Sequence, residues 1–377
     1  MSDAAGVSRA SALINAGAVE RNCTSLSERL AERSTLCAVV KANGYGHGGL
    51  ECARAAISGG AEWLAVATAG EAAELRAALP VSRLLTMGAL TLEELDLSLA
   101  SDSDVGVWRR GFLEAVASRA AALGRTARVH VKFDSGMGRL GERDTRNVRA
   151  LVEAAAGDDR VELVGLWTHF ATADELDSAF FGEQLERFAN LATEIRGDHA
   201  GILCHAANSA ATLRDSASHF DMVRCGIAIY GLDPFQQDPH AQGLEPALEL
   251  RSYVADVKAF ERGASAGYGQ TWRAPEDTNV GVLPIGYGDG VRRALSNNAE
   301  VLVGGRRYPV VGTVSMDNLT IDLGPESEVE PGAPAVLIGG QGDETILCEE
   351  VAQRLGTINY EVTTGISERV PRRHVGR

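Results

Sequence analysis

Positive charge is scarce in this chain: 36 Lys and Arg stand against 51 Asp and Glu, a formal net charge of −15 at neutral pH. No stretch is rich enough in Lys and Arg to track a phosphate backbone, so no nucleic-acid partner is expected. Long apolar runs are missing too. None approaches the roughly 18 residues needed to cross a bilayer, which excludes a transmembrane reading and a membrane partner. The amino terminus lacks a basic patch followed by an unbroken apolar stretch, so it does not read as a signal peptide and a cytoplasmic protein is expected. The six cysteines (Cys23, Cys37, Cys52, Cys204, Cys225 and Cys348) show no C-x-x-C spacing, a pattern of free thiols in a large cytosolic chain.

What is present is the composition of a soluble globular protein, with 45% apolar and 23% charged residues. The length of 377 residues suggests two domains. The 42 glycines point to tight turns or to places where backbone approaches a ligand.

From residue 36, short runs rich in Val, Leu and Ile recur: LCAVVKA (36–42), WLAVAT (63–68), RLLTMG (83–88), DVGVW (104–108), ARVHVKFD (127–134), VELVGLWTHF (161–170), GILCHAANS (201–209) and MVRCGIAIYG (222–231). Segments with apolar positions three and four apart lie between them, among them GEAAELRAAL, GFLEAVASRAAALG and DTRNVRALVEAAAG. Eight strands alternating with helices predict an α/β fold, a closed (β/α)8 TIM barrel. An open doubly wound sheet competes, because pattern alone leaves strand order open.

After residue 231 the polar, Pro-containing stretch DPFQQDPHAQGLEP marks a linker, and helical periodicity largely disappears. The segments that follow read as a mainly-β domain, with GG in VLVGGRRYPVV as a hairpin signal and a late helix in CEEVAQRLG. The expected division is a barrel domain over residues 1–240 and a β-rich domain over 241–377. The first thirty residues hold the run SALIN and a helix through AVERNCTSLSERLAE, and are expected to pack towards the β-rich domain.

In a parallel barrel the chemistry sits where strands end at their carboxyl side. The residues there are Lys41 before the turn ANGYGHG, Lys132 leading to Asp134 and Arg139, His169, Asn208 with Ser209, and Arg224 followed by Gly226 and Ile227. Loops after the seventh and eighth strands often hold phosphate in such barrels, and here they offer a hydroxyl and a glycine-led run of backbone N–H groups. Taken alone, Lys41 admits two readings. It is a cation snorkelling to solvent at a strand end, or a partly desolvated amine, lowered in pKa and able to form a Schiff base. His169 alone reads equally as a core histidine satisfied by backbone.

The run AVVKANGYGHG is similar to the cofactor-lysine signature of the alanine racemases, enzymes that use pyridoxal 5′-phosphate. The resemblance extends in order through DSGMGRLG, THFATAD, HAANSAA, MVRCGIAIYGL, GYGQTW, PIGYGDG, VGTVSMDN, IGGQGDE and INYEV, almost the whole chain.

It implies that Lys41 carries pyridoxal phosphate and that Tyr45, Asn208, Ser209, Tyr360 and the backbone of Gly226 and Ile227 hold the cofactor. Arg224 would face the pyridine nitrogen, with His169 hydrogen-bonded towards it. L- and D-alanine would interconvert between two opposed bases, Lys41 and Tyr268. By the same resemblance the β-rich domain of one subunit covers the barrel mouth of the other, so the enzyme is a homodimer with shared sites. Arg139, Met316 and Asp317 would meet the substrate, and Tyr287 and Tyr360 would narrow the entrance to admit a methyl group. Lys132 matches a position that is often carbamylated. Glycine stands where alanine is more usual in ANGYGHG and GYGDG, which touches the shape of the entrance.

Other readings differ at particular residues. A serine or broad-specificity racemase would share these motifs. A decarboxylase of this fold would place an acid where Arg224 stands. A cofactor-carrying barrel without catalysis would leave residues 241–377 unexplained. A metal-dependent hydrolase, with a carbamylated Lys132 and with His47, His169 and His205 as ligands, would open with H-x-H on its first strand, whereas this chain has Lys41 there.

Overall fold

The structure, a computed structural model, describes residues 8–376. Eight short strands close into a parallel barrel: β2 (Thr35–Val39), β3 (Trp63–Val66), β4 (Arg83–Thr86), β5 (Asp104–Val107), β6 (Ala127–Lys132), β7 (Val161–Trp167), β8 (Leu203–His205) and β9 (Met222–Cys225). Closure is made by β9 pairing in parallel with β2, Thr35 opposite Met222 and Cys37 opposite Arg224. That pairing removes the open-sheet alternative. Strands covered on both faces read as continuous apolar runs, and β3 and β5 are buried along their whole length. Cys37, Val39, Trp63, Ala65, Leu85 and Met222 form one compact cluster of this core. Each buried leucine or valine contributes roughly 1.5–3 kcal/mol.

The helices between strands start where their sequences provide caps. Thr68 and Glu71 form a reciprocal capping box at the start of Ala69–Ala78, and Thr91 with Glu94 does the same for Leu92–Ala100. Asp144 caps Thr145–Ala156, and Asn208 caps Ser209–Arg214.

The second unit is built on a ten-stranded sheet. Its members are β1 (Ser11–Asn15), β10 (Leu248–Tyr253), β11 (Asp256–Phe260), β14 (Thr278–Leu283), β15 (Glu300–Val303), β16 (Arg306–Val311), β17 (Leu319–Gly324), β18 (Pro334–Gln341), β19 (Glu344–Ile346) and β20 (Arg372–Val375). A small ribbon, β12 (Ser265–Ala266) with β13 (Trp272–Arg273), stands apart. The β15–β16 hairpin turns at Gly304 and Gly305, both at positive φ, as its GG signal predicts.

The chain divides into compact units at different places from those read off the linker. Residues Val19–Ile229 form the barrel, while Tyr230 onward, together with the described residues up to Ala18, forms the β unit. The reason lies in strand pairing: SALIN becomes β1, antiparallel to β10 and parallel to β20. The polar linker therefore lies inside the β unit.

Candidate active site

Lys41 does not end β2 but opens a turn of unusual backbone. Ala42, Asn43, Gly44, Tyr45 and Gly46 all lie in the left-handed region, with φ of 51°, 52°, 62°, 51° and 85°. Non-glycine residues there cost roughly 1–2 kcal/mol each, so the surroundings must hold them. They do. Gly44 N–H donates to Val40 O at 2.9 Å, Gly46 N–H to Ala42 O at 3.0 Å and Gly48 N–H to Asn43 O at 2.9 Å. Ala42 N–H donates to Glu71 Oε1 at 2.6 Å, and Asn43 Oδ1 accepts from Gly49 N–H at 2.8 Å. Burial and the charge of Arg139 push the Lys41 amine below its ordinary pKa, with Glu71 opposing.

The adjoining wall, after β9, forms a cradle of backbone N–H groups. Ser209 Oγ accepts from Gly226 N–H at 3.0 Å and from Ala228 N–H at 3.3 Å. A side chain at 226 would displace Tyr45, because its Cβ would fall 2.3 Å from the Tyr45 hydroxyl. The hydroxyls of Tyr45 and Ser209 and the amides after β9 thus converge. Asn208, also expected here, uses its side-chain oxygen to cap the helix, accepting from Ala211 N–H at 3.0 Å.

Arg224 is buried at the end of β9. Its guanidinium donates to Thr168 O at 2.7 Å and Ala206 O at 2.9 Å, and contacts His205 Nδ1 at 2.8 Å and His169 Nδ1 at 3.3 Å. Burial lowers its pKa to about 10, which leaves it charged at neutral pH. His169 is held well below its usual range by burial, then by Arg224, Lys132, Arg139 and Lys41, so it is neutral. Lys132, buried with its Nζ 4.0 Å from the Trp167 ring centre, is pushed down to about 7 by burial and by Arg224 and Arg139, against Asp134. Arg139 lies exposed on the following loop. An acidic protein has gathered Lys41, Lys132, Arg139 and Arg224 at one barrel rim, close enough that Arg139 depresses both lysines and Arg224 depresses Lys132. Such a cluster suits an anionic ligand.

Residues of this wall that sequence reasoning missed are Glu71, Ala228 and Trp167. Glu71 was findable from its T-x-x-E capping spacing. Trp167, which stacks on His205 with ring centres 5.7 Å apart and also lies beneath Lys132, ends a strand but carries no titratable group to draw attention. Among the described residues no group of three or more His, Cys, Asp or Glu is arranged to hold a metal.

The β unit carries the other expected residues. Tyr268 follows β12 and is 73% exposed, with Met316 and Tyr287 also exposed. Its loop is seated on the segment before Val314: Thr313 Oγ1 donates to Tyr268 O at 2.8 Å, and a Cβ on Gly267 would meet Thr313 N at 2.9 Å. Asp317 pairs with Arg369 and lies 3.5 Å from Arg9, and the same two arginines reach Asp289 beside Tyr287 at 3.4 and 2.6 Å. The loops bearing Tyr287 and Met316 are thereby tied together. Tyr360 is half-buried in the helix Asn359–Thr364.

A closed parallel barrel with cations and an N–H cradle at its carboxyl rim defines a barrel enzyme built for an anionic small molecule. The relatives agree. A family model described as alanine racemase, N-terminal domain, matches residues 14–234, and one described as alanine racemase, C-terminal domain, matches residues 247–374. The chain is 40% identical to an alanine racemase of Frankia casuarinae, over 97% of this chain and 96% of that one. Its fold matches an alanine racemase of Streptomyces coelicolor A3(2) with a TM-score of 0.93 and 39% identity, covering 100% of both chains. It also matches an alanine racemase of Bartonella henselae solved with covalently bound pyridoxal phosphate, with a TM-score of 0.87 and 25% identity, covering 98% of this chain and 100% of that one. The chain belongs to the alanine racemase family and is thus an isomerase acting on amino acids.

Proposed function

We propose that this enzyme interconverts L- and D-alanine with pyridoxal 5′-phosphate bound at Lys41, as a cytoplasmic homodimer supplying D-alanine as a peptidoglycan precursor. The observation that carries the reading is the Ser209–Gly226 cradle, where the Tyr45 hydroxyl occupies the place of the missing Cβ, with Arg139 and Arg224 at the same rim. These residues fit the cofactor: Tyr45, Ser209, Tyr360 and the N–H groups of Gly226 and Ile227 would hold its phosphate, beside Asn208 at the helix start. The covalently bound pyridoxal phosphate of the Bartonella henselae relative supports the choice. When bound, the group supplies an electron sink for the charge left at Cα once its proton is removed.

The chain's own residues do the rest. Arg224 would donate to the pyridine nitrogen and, remaining charged, would not give it a full proton, which would favour return of the proton to Cα. Lys41, with its pKa lowered, is neutral in a larger fraction and takes or returns a proton on one face of Cα. Tyr268 of the partner subunit serves the other face. His169, neutral and beside Arg224, orients this wall without adding charge. The Met316 N–H and Asp317 lie on the covering surface that meets the substrate, the former facing its carboxylate, and Arg139 also reaches that carboxylate. Tyr287 and Tyr360 leave room for a methyl group. At Lys132 a neutral amine adds CO2, forming an N–C bond and releasing one proton; the resulting anion orients Arg139.

The direct test adds L-alanine, and separately D-alanine, to protein reconstituted with pyridoxal phosphate and follows optical rotation. Decay to zero rotation from both sides is expected; a single enantiomer left unchanged overturns the proposal.

A further inference from the structure

Arg224 is one end of a line of hydrogen bonds that runs through the barrel interior to its floor. Arg224 Nη1 lies 2.8 Å from His205 Nδ1, His205 Nε2 lies 3.0 Å from His130 Nδ1, and His130 Nε2 lies 3.2 Å from Asp104 Oδ2. Asp104 opens β5, His130 lies within β6, His205 ends β8 and Arg224 belongs to β9. Asp104, His130 and His205 are completely buried.

The two ends of this line dictate every proton in it. A guanidinium only donates, so His205 Nδ1 accepts. His205 is a neutral ring, held so by burial and by Arg224, and its one proton therefore sits on Nε2. That N–H donates to His130 Nδ1, which places the His130 proton on Nε2, facing the acceptor-only carboxylate of Asp104. No other assignment with a neutral His205 satisfies all three bonds. The carboxylate is itself kept ionised: burial raises its pKa, but His130 and Arg128 outweigh this, with Arg128 Nε at 2.5 Å and Arg83 Nη2 at 3.7 Å. The rings are also fixed in place. His205 stacks flat on Trp167, and His130 meets the edge of Trp63, while a Cβ at Gly165 would fall 2.3 Å from His130 Nδ1.

We propose that Asp104 is a positioning residue for Arg224, acting across the barrel by fixing His130 and His205 as Nε2–H tautomers. The charged carboxylate polarises both rings towards Arg224, so that the guanidinium finds a strong acceptor at His205 Nδ1. Together with the bonds to Thr168 O, Ala206 O and His169, this leaves Nε–H and one Nη1–H uncommitted. With a neutral amide at 104 a second, reversed line becomes available beside the first: where the Asn N–H rather than its oxygen faces His130 Nε2, the protons pass to Nδ1 in both rings and two donors face each other at Arg224, so a single tautomer pattern is no longer enforced. This inference rests on the reading of Arg224 as the partner of the pyridine nitrogen.

The test is long-range proton–nitrogen NMR on protein labelled with 15N in histidine, with and without pyridoxal phosphate, assigned through His130→Gln and His205→Gln. Parent protein is expected to show protonated Nε2 and bare Nδ1 in both rings. Either ring carrying its proton on Nδ1, or His205 doubly protonated, overturns the proposal without any variant at Asp104. In the Asp104→Asn holoenzyme, loss of the single Nε2–H pattern is expected. A fall in kcat of about tenfold, with KM changed less than about twofold, and a displaced pH titration of the visible cofactor band are expected with it. Unchanged tautomers and kcat in Asp104→Asn contradict it. Protein that shows the expected tautomers but takes up no pyridoxal phosphate refutes the functional reading and supports the relay. Cofactor bound beside Nδ1–H rings does the reverse.

Discussion

At the scale of single residues, environment decides what each amine does. Lys41 and Lys132 have the same side chain and both feel Arg139, yet Lys132 is buried, sits against Trp167 and feels Arg224 as well, while Lys41 stands beside Glu71. With a pKa of about 7, Lys132 is substantially neutral at physiological pH. A neutral amine takes up CO2 and an ammonium does not, so loading should be high above pH 7 and lost as pH falls below it. Carbon NMR in 13C-bicarbonate should show a carbamate signal that disappears on acidification and is absent in Lys132→Ala; a signal that survives in that variant contradicts the assignment. The two proposed bases, Lys41 and Tyr268, are expected to differ in the face they serve. Tyr268→Phe should therefore change the isotope effect for deuterium at Cα in one direction more than in the other, and equal effects, unchanged from the parent, count against two bases.

At the scale of elements, the site rests on one strained turn and one glycine. The left-handed stretch Ala42–Gly46 is anchored by Glu71, which is also half of the capping box with Thr68. Thr68→Ala should lower unfolding stability by about 1 kcal/mol, measured by urea titration. Gly226→Ala should leave the barrel folded, by circular dichroism, while weakening pyridoxal phosphate binding at least tenfold, because the Tyr45 hydroxyl must leave the cradle. Unaltered affinity would contradict the cradle.

The same elements show what a sequence makes legible. All eight barrel strands coincide with apolar runs, since a strand buried on both faces is mostly apolar, and the few polar residues within them, such as His130 and Arg224, do not hide the run. Lys41, Lys132, His169, Ser209 and Arg224 stand out because each lies at or just past such a run. The turn at 42–46 was not legible, because Ala, Asn and Tyr do not ordinarily adopt positive φ and only the bonds around them impose it. Nor was the place of β1: strand SALIN finds its partners far along the chain, and no local pattern records a pairing with residues near 250 and 373. The line from Asp104 to Arg224 is hidden for the same reason, its members coming from four strands.

At the scale of the whole molecule, the two proposed bases lie on different units, Lys41 on the barrel and Tyr268 on the β unit. The proposed dimer unites them across subunits, and the exposed Tyr268, Tyr287 and Met316 are then side chains awaiting a covering partner. Size measurement in solution should give a dimer, and its dissociation should abolish activity while cofactor stays on the barrel. The sharpest measurement is complementation. Lys41→Ala and Tyr268→Ala, each inactive alone, are mixed under conditions that exchange subunits. A hybrid dimer pairs the intact lysine of one chain with the intact tyrosine of the other at one of its two mouths, so racemisation should return to about a quarter of the parent rate at equal mixing. Subunits that exchange freely and stay inactive would contradict a site shared between chains.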